Sequence, residues 1–333
     1  MELHVLEGDW GLPSVDYECL AVLAYCKFSD VQLSIIKSNN LWKSPTEKYP
    51  LLQKDDLQRT SVTSIFDYLR EQNWGTDFDL TSKQCADIVA FTALLHQKLQ
   101  PALEQVEWAD SRTYTEFTRP WYAKRLPFPV SWWVLPRRHK AAVARLSSLT
   151  GEDILTDEER EAKIINDAKE CLNLLSARLG NQDFFFGNMP TSLDAVVFGY
   201  LAQLLKVPYP NRVLQNHLKG CPNLCKMCTR ILEKYFPLSK EEQEAQKKKE
   251  EEASQQQQEA MDFPNRKRNM LIAALVALTT MVAYAAWVGI IKVKVTEEGR
   301  EMGRDDVDYS AYREYMDAED QFDDEEEEEG EQE

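Results

Sequence analysis

The sequence has no surplus of basic residues. Its 333 residues include 39 lysines and arginines against 56 aspartates and glutamates, which gives a formal net charge of −17. Nearly all of that imbalance lies in residues 297–333, which contain 19 acidic and 3 basic residues and leave 37 acidic and 36 basic residues elsewhere. A near-neutral body has no electrostatic footprint for a polyanion, so the composition argues against nucleic-acid binding.

Cysteine and histidine are also scarce. Seven cysteines in a chain of this length are too few for a disulfide framework, and an odd number leaves one thiol over, so we expect a reducing compartment. The segment after Met1 has neither a basic stretch followed by an apolar run nor an Arg-rich amphipathic stretch, which argues against secretion. The four histidines lack the spacing of a metal site or an acid–base pair: His4, His96, His139 and His217.

One long run is free of charge. Residues 270–291 read MLIAALVALTTMVAYAAWVGII, and as a helix at ~1.5 Å per residue they span ~33 Å, enough for a ~30 Å hydrocarbon core. A buried core helix, the alternative, rarely lacks a polar stripe over so many turns. We therefore predict a transmembrane helix, with anchor residues that include Met270, Leu271, Tyr284, Trp287 and Ile291.

The position and flanks of this run predict a tail anchor with the preceding residues in the cytosol. Its Ala-rich composition between basic flanks is typical of the mitochondrial outer membrane, although composition leaves the endoplasmic reticulum open. Residues 239–264 are rich in Glu, Lys and Gln and cannot form a core. The predicted order is a mixed α/β domain (1–75), a helical domain (76–238), a charged and Gln-rich linker (239–269), the transmembrane helix (270–291) and an acidic tail (292–333).

Local patterns predict the elements of the two folded domains. In the first domain we expect strands over residues 3–7 and 31–35, a helix opened by Ser14, a short apolar run over residues 49–52 and a helix over residues 61–72. In the second, three helix starts have the spacing of a capping box: Thr81 with Gln84, Thr156 with Glu159, and Thr191 with Asp194. Pro222 is expected in the first turn of a last helix that ends at Tyr235.

This order of elements resembles the glutathione transferases. Pro50 lies where that fold has a cis-proline before a strand, and Ile65, Tyr68 and Leu69 match its Ile-x-x-Tyr-Leu pattern. The capping box that begins at Thr191 matches the one in the core helix of its second domain. The resemblance implies a thioredoxin-like N-terminal domain followed by an all-helical glutathione-transferase C-terminal-like domain, here with one C-terminal transmembrane helix.

More specific strings resemble the metaxin family over about residues 2–237. They are Trp-Gly-Leu-Pro-Ser-Val-Asp at 10–16, Trp-Tyr at 121–122 with Leu-Pro-Phe-Pro at 126–129, Phe-Phe-Phe-Gly at 184–187, and Leu-Cys at 224–225 with Cys-Thr at 228–229. Metaxins are outer-mitochondrial-membrane proteins associated with the machinery that sorts and assembles β-barrel precursors. The resemblance implies another metaxin, that sorting and assembly machinery and the lipid bilayer as partners.

The residues that transferase chemistry needs are missing. A transferase has a hydroxyl or thiol after its first strand that stabilises the glutathione thiolate, and an acid or amide followed by Ser at its third helix. Here Gly11 and the pair Ser61 and Val62 occupy those places, and Ser14, the possible substitute, is more typical of a helix cap. We predict no catalytic residue and no cofactor.

Three closely spaced cysteines do not indicate a metal site either. Cys221, Cys225 and Cys228 have a spacing known from iron–sulfur enzymes, but Pro222 predicts a helix there. Ligands strung along one helix, even with His217 added, span ~16 Å and cannot converge. Buried structural thiols are expected, as for Cys19 and Cys26, and no metal is predicted.

Residues 121–136, WYAKRLPFPVSWWVLP, form the most unusual soluble stretch. Its prolines argue against one continuous helix, so the aromatic rings cannot share a helix face. One interpretation is a loop tucked onto the helical domain; the other is an exposed aromatic patch with a basic rim for a partner or a membrane. The candidate partner surface comprises Trp121, Tyr122, Phe128, Trp132 and Trp133.

Together these patterns predict a non-catalytic adaptor of the mitochondrial outer membrane in protein import and β-barrel sorting. A membrane-anchored glutathione transferase is the enzymatic alternative. A tether that positions the organelle is a second alternative, which the sequence does not separate from an import role.

Overall fold

The computed structural model describes residues 1–39, 49–126, 130–150, 156–238, 276–277 and 279–281. The chain forms two compact units, Met1–Gln256 and Gln257–Glu333. In the second unit the described residues are helical and exposed. The predicted anchor residues Met270, Leu271, Tyr284, Trp287 and Ile291 lie outside the described residues. In the part of the chain that the structure describes, no helix combines the length and apolar character needed to cross a bilayer.

A four-stranded mixed sheet begins the first unit. Its strands are β1 (Glu2–Val5), β2 (Ser34–Lys37), β3 (Leu51–Lys54) and β4 (Leu57–Arg59), in the order β2-β1-β3-β4. β1 and β2 run parallel, while the pairs β1–β3 and β3–β4 are antiparallel. Helix α1 (Tyr17–Phe28) connects the two parallel strands, and α2 (Val62–Glu71) follows β4. This is the predicted thioredoxin-like arrangement, and the Tyr49–Pro50 peptide before β3 is cis.

The second strand lies further along the chain than the predicted residues 31–35. After α1 ends, Asp30 adopts a positive φ of 53° and the Val31 amide donates to the Cys26 carbonyl, so these residues close the helix. The chain reaches the sheet only at Ser34, opposite Glu2. The alternation of apolar residues correctly indicated a strand. Its predicted first residues instead belong to the turn that ends α1.

The first helix begins at Tyr17, so the prediction that Ser14 opens it was wrong. The Asp16 carboxylate accepts a hydrogen bond from the Cys19 amide at 3.0 Å and caps the helix. Ser14 is wholly buried, and its hydroxyl accepts instead from the Asp16 amide at 3.4 Å. A carboxylate is as good a cap as a hydroxyl, and this one stands next to the first helical residue.

Helices make up the rest of the first unit. Their bounds are α3 (Ser82–Leu94), α4 (Gln100–Glu104), α5 (Ser111–Thr113), α6 (Arg119–Ala123), α7 (Val130–Thr150), α8 (Asp157–Leu179), α9 (Ser192–Lys206), α10 (Val213–Lys219) and α11 (Pro222–Tyr235). Three π-helical segments join the short helices: Leu95–Leu99, Gln105–Ala109 and Tyr114–Thr118. Two of them directly precede the first turns that contain Pro101 and Pro120, where a missing amide disturbs the α-helical ladder.

Helix α9 is the centre of the core, since residues 192–204 are all buried. It packs against α1, whose residues 19–26 are also all buried. The predicted capping boxes at Thr81, Thr156 and Thr191 are all present. The last helix has the predicted bounds, Pro222 to Tyr235.

Candidate functional site

The loop after β1 occupies the place where a transferase would hold its thiol. Gly11 adopts a positive φ of 76° there and contributes no side chain. Ser14, the possible substitute, has no exposed surface. A side chain that stabilises a thiolate must reach the ligand with a hydroxyl or thiol, and neither residue can do so.

The second transferase position is also used for structure. Ser61 caps α2, where its hydroxyl accepts from the Ser64 amide at 3.2 Å and donates to the Ser64 hydroxyl at 2.8 Å. Val62, the next residue, offers no polar group. Ser61 is thus engaged in a helix cap, and the absence of a glutathione site at Ser61 and Val62 stays a prediction.

A cavity of about 280 Å³ separates α1 from the helices α4 and α7. Its polar lining includes four carboxylates and two guanidinium groups: Asp16, Glu18, Glu104, Glu107, Arg138 and Arg145. Arg145 forms an ion pair with Glu104, and both residues belong to the wall formed by α4 and α7. The cavity therefore has acids on both of its walls, whereas its two arginines both come from α7.

Among the acids of this cavity, Glu107 has a pKa well above its ordinary value. It accepts hydrogen bonds from the Tyr122 hydroxyl at 3.1 Å and from the Gln203 amide at 2.9 Å. Burial raises its pKa to about 7, the nearby charge of Asp16 acts in the same direction, and the two hydrogen bonds oppose the rise. A carboxyl with this pKa exchanges its proton near neutral pH.

Sequence reasoning missed Glu107 and its partners. Glu104 and Glu107 are three residues apart, a spacing that is typical of a solvated helix face. The distinguishing contacts come from Tyr122 and Gln203, which are distant along the chain. No local signal could have found this cluster.

The prediction that Tyr122 belongs to an exposed partner surface was wrong, whereas Trp121 remains partly exposed. Tyr122 is buried and donates to Glu107. Trp121 is half-buried, with its indole 5.1 Å from that of Trp10 and its N–H donating to Asp9 at 3.1 Å. Arg125 lies 3.9 Å from the Trp121 ring centroid. Trp121 therefore packs α6 against the loop after β1, since Trp10 and Asp9 of that loop provide an aromatic ring and a carboxylate.

The other tryptophans of that surface are exposed. Trp132 and Trp133 retain 74% and 72% of their accessible surface and lie near the start of α7. As predicted, no single helix contains all the rings of residues 121–136, because α6 ends at Ala123 and α7 begins at Val130. Pro136 itself lies inside α7. Pro136 has no amide hydrogen, so it cannot donate the helical hydrogen bond to the Trp132 carbonyl. Because this side of the helix is exposed, water can hydrate that carbonyl instead. Phe128 lies outside the described residues.

The closely spaced cysteines lie as predicted on and beside one helix. Cys221 precedes α11 and is buried, Cys228 within it is buried, and Cys225 is half-buried. His217 faces Asn173, with 3.0 Å between its Nε2 and the Asn173 Oδ1. Within the described residues, no group of three His, Cys, Asp or Glu side chains could hold a metal ion.

Two family models match the chain. Residues 19–139 match the family described as an outer mitochondrial membrane transport complex protein, and residues 168–231 match the C-terminal domain of glutathione S-transferase. The second match and the thioredoxin-like sheet show a glutathione-transferase-like fold.

Several curated proteins are similar over most of the chain. Metaxin-1 of Macaca fascicularis is 41% identical over 91% of this chain and 95% of its own length. Metaxin-3 of Danio rerio is 45% identical over 71% of this chain and 76% of its own length. The metaxin-1 homolog of Caenorhabditis briggsae is 36% identical over 90% of this chain and 99% of its own length.

Solved structures with a related arrangement are more distant. A β-etherase from Sphingobium is 15% identical, with a TM-score of 0.48 over 70% of this chain and 95% of its own. A glutathione transferase from Populus trichocarpa is 14% identical, with a TM-score of 0.43 over 69% of this chain and 92% of its own.

Proposed function

The chain belongs to the metaxin family, and we propose that it is a non-catalytic adaptor in protein import and β-barrel sorting at the mitochondrial outer membrane. The match to the outer-membrane transport family over residues 19–139 carries this proposal. The matched stretch includes most of α1, the cavity acids Glu104 and Glu107, and the first part of α7.

The geometry after β1 supports a role without catalysis. Gly11 has no side chain, Ser14 is buried, and Ser61 is committed to a helix cap. A transferase fold that has lost these contacts still offers a rigid surface, which is what an adaptor needs.

Calorimetry with glutathione tests the absence of catalysis. We expect no saturable binding and no conjugation of an electrophilic substrate. Binding together with conjugating activity, both lost in Ser14→Ala, would overturn the adaptor proposal and favour a transferase.

We propose that residues 270–291 anchor the protein as a single-pass segment, with residues 1–269 in the cytosol. The uncharged run and its basic flanks support this arrangement. A reporter fused to residues 262–296 should reach mitochondria, whereas residues 1–265 should remain soluble in the cytosol. A reticular pattern of the fusion would contradict a mitochondrial anchor.

For partners we propose another metaxin and the sorting and assembly machinery of the outer membrane. The transport-complex description of the matched family supports an assembly of this kind. Affinity purification of the full chain from outer membranes, with the bound proteins identified, is the direct test. Recovery of cytosolic motor or cytoskeletal proteins in place of import components would favour the organelle tether.

A further inference from the structure

The exposed side of α7 carries two tryptophans, Trp132 and Trp133, that are more exposed than Trp74, with 74% and 72% of their surface accessible against 40%. We define the α7 outer face as Trp132, Trp133, Arg137, Lys140 and Val143, all of them exposed. At 3.6 residues per turn these positions fall on one side of the helix over about three turns. We propose that this face binds the surface of a lipid bilayer that contains anionic phospholipids.

Charge on α7 supports a lipid occupant. Its 21 residues include four Lys and Arg residues and no acid. Two of the four, Arg138 and Arg145, line the interdomain cavity together with Glu104 and Glu107. The remaining two, Arg137 and Lys140, project on the exposed side. A helix whose outer charges are all basic is complementary to anionic headgroups.

The aromatic rings fit the same partner. Tryptophan prefers the headgroup level of a bilayer, where its ring is in an apolar environment and its N–H remains hydrated. The Arg137 guanidinium lies 5.8 Å from the Trp133 ring centroid, so a ring and a cation are presented side by side. An amphipathic surface helix binds membranes through this combination of apolar burial and electrostatic attraction.

A second copy of this chain is a poorer occupant. In a two-fold symmetric contact the same patch appears on both subunits, so Arg137 and Lys140 of one copy would face those of the other. Like charges at close range oppose such a contact, whereas an anionic bilayer attracts every basic residue of the face. The inference does not depend on an import role, because it uses only the chemistry of the face.

Residues 1–256 are suited to the test. They form one compact unit, and the buried apolar core runs from Leu3 to Ile231, wholly within it. They also lack the uncharged run at 270–291, so that run cannot account for any binding. The assay is co-flotation with phosphatidylcholine vesicles, with and without phosphatidylserine.

We expect residues 1–256 to float with the phosphatidylserine vesicles and to bind pure phosphatidylcholine weakly. The double variant Arg137→Ala/Lys140→Ala should lose about fivefold in affinity per basic residue. The double variant Trp132→Ala/Trp133→Ala should lose roughly tenfold or more, since each ring gives up buried apolar area. High salt should weaken the binding of the wild type.

Matched controls separate this face from general surface effects. Phe78 and Met189 are exposed apolar residues outside α7, with 66% and 76% of their surface accessible. Their double alanine variant should bind as the wild type does. Lys83 and Lys219 are exposed basic residues outside α7, and their double alanine variant is the control for charge. It should also bind as the wild type does.

Three results would overturn the proposal. They are equal flotation with and without phosphatidylserine, equal loss in the control variants, and self-association in sedimentation that disappears in the tryptophan variant. A thermal melt accompanies each variant, and if the tryptophan variant is unfolded, the Arg137→Ala/Lys140→Ala variant alone decides.

Discussion

At the scale of single residues, Glu107 has a consequence for stability. Burial raises its pKa to about 7, against 4.5 for the free side chain. The folded protein therefore holds this proton more tightly than the unfolded chain. The stabilisation is complete below about pH 4.5 and is lost as the pH rises through about 7. At ~1.4 kcal/mol per pKa unit, the loss is about 3 kcal/mol.

The variant Glu107→Gln tests this effect. The amide oxygen can accept from Gln203 and the amide nitrogen can donate to the Tyr122 hydroxyl, so both contacts can persist. Urea unfolding measured from about pH 5 to pH 8 should show a smaller fall in free energy for the variant than for the wild type. Burial also raises the pKa of Asp194, to about 6. Its effect on the pH dependence of stability is the same in both proteins and cancels in the comparison. Identical pH slopes in the two proteins would show that Glu107 ionises normally.

The tryptophans show what a sequence can predict about single residues. Residues 121–136 were recognisable as unusual from composition, and Trp132 and Trp133 are exposed as the patch interpretation required. Trp121 is half-buried and Tyr122 is buried, because they bind Asp9 and Glu107. Those partners lie 112 and 15 residues away along the chain, so no local pattern could assign the four rings to different roles.

At the scale of elements, the capping box of α9 differs from the others by its burial. The Asp194 carboxylate accepts from the Thr191 amide at 2.8 Å and from the Phe185 amide at 2.9 Å, and Asp194 is wholly buried. Removing it leaves the two buried amides without an acceptor, at ~1–3 kcal/mol each, and the Thr191 hydroxyl, which donates to Asp194 at 2.7 Å, also loses its acceptor. We expect Asp194→Ala to lower the free energy of unfolding by about 2–6 kcal/mol.

The capping box of α8 provides the matched control. Glu159 accepts from the Thr156 amide at 2.9 Å in the same geometry, but both residues are exposed. Water can replace the lost acceptor there, so Glu159→Ala should cost about 1 kcal/mol or less. Chemical denaturation of both variants at one pH gives the comparison. Equal losses would mean that burial does not set the cost of a missing cap.

Elements with local signals were the ones that the sequence predicted well. A capping box lies within four consecutive residues, and Pro222 marks the first turn of the last helix. The starts of these helices were therefore predicted correctly. The limits of β2 depend on how α1 ends and on register with β1, which are not local. The helix through Pro136 was missed because one lost amide is tolerated where the helix side is exposed.

At the scale of the whole molecule, α1 and α9 tie the two domains together. Gly199 permits their close approach, since a Cβ there would lie 2.3 Å from the Tyr17 carbonyl oxygen. We expect Gly199→Ala to destabilise the protein by about 1–3 kcal/mol, because the helices must separate. Gly75→Ala is the control, since the three atoms nearest to its Cβ would all belong to the exposed Phe78 ring, which can move aside. Comparable thermal midpoints for the two variants would contradict a tight contact.

The same interface predicts that the first domain cannot fold alone. Residues 19–26 of α1 are buried on every side, and one of those sides is provided by α9. Tyr17 stacks on Tyr200 of α9, with 4.5 Å between ring centroids. In isolation, residues 1–75 would expose the apolar side of α1 that α9 covers. A domain this small, with a sheet of only four short strands, has little stability to lose. We expect residues 1–256 to melt in one cooperative transition, with circular dichroism and tryptophan fluorescence coincident, and residues 1–75 to show none. A cooperative melt of residues 1–75 would mean that α1 is stabilised by the sheet alone, and the contact with α9 would then be a docking of two independent domains.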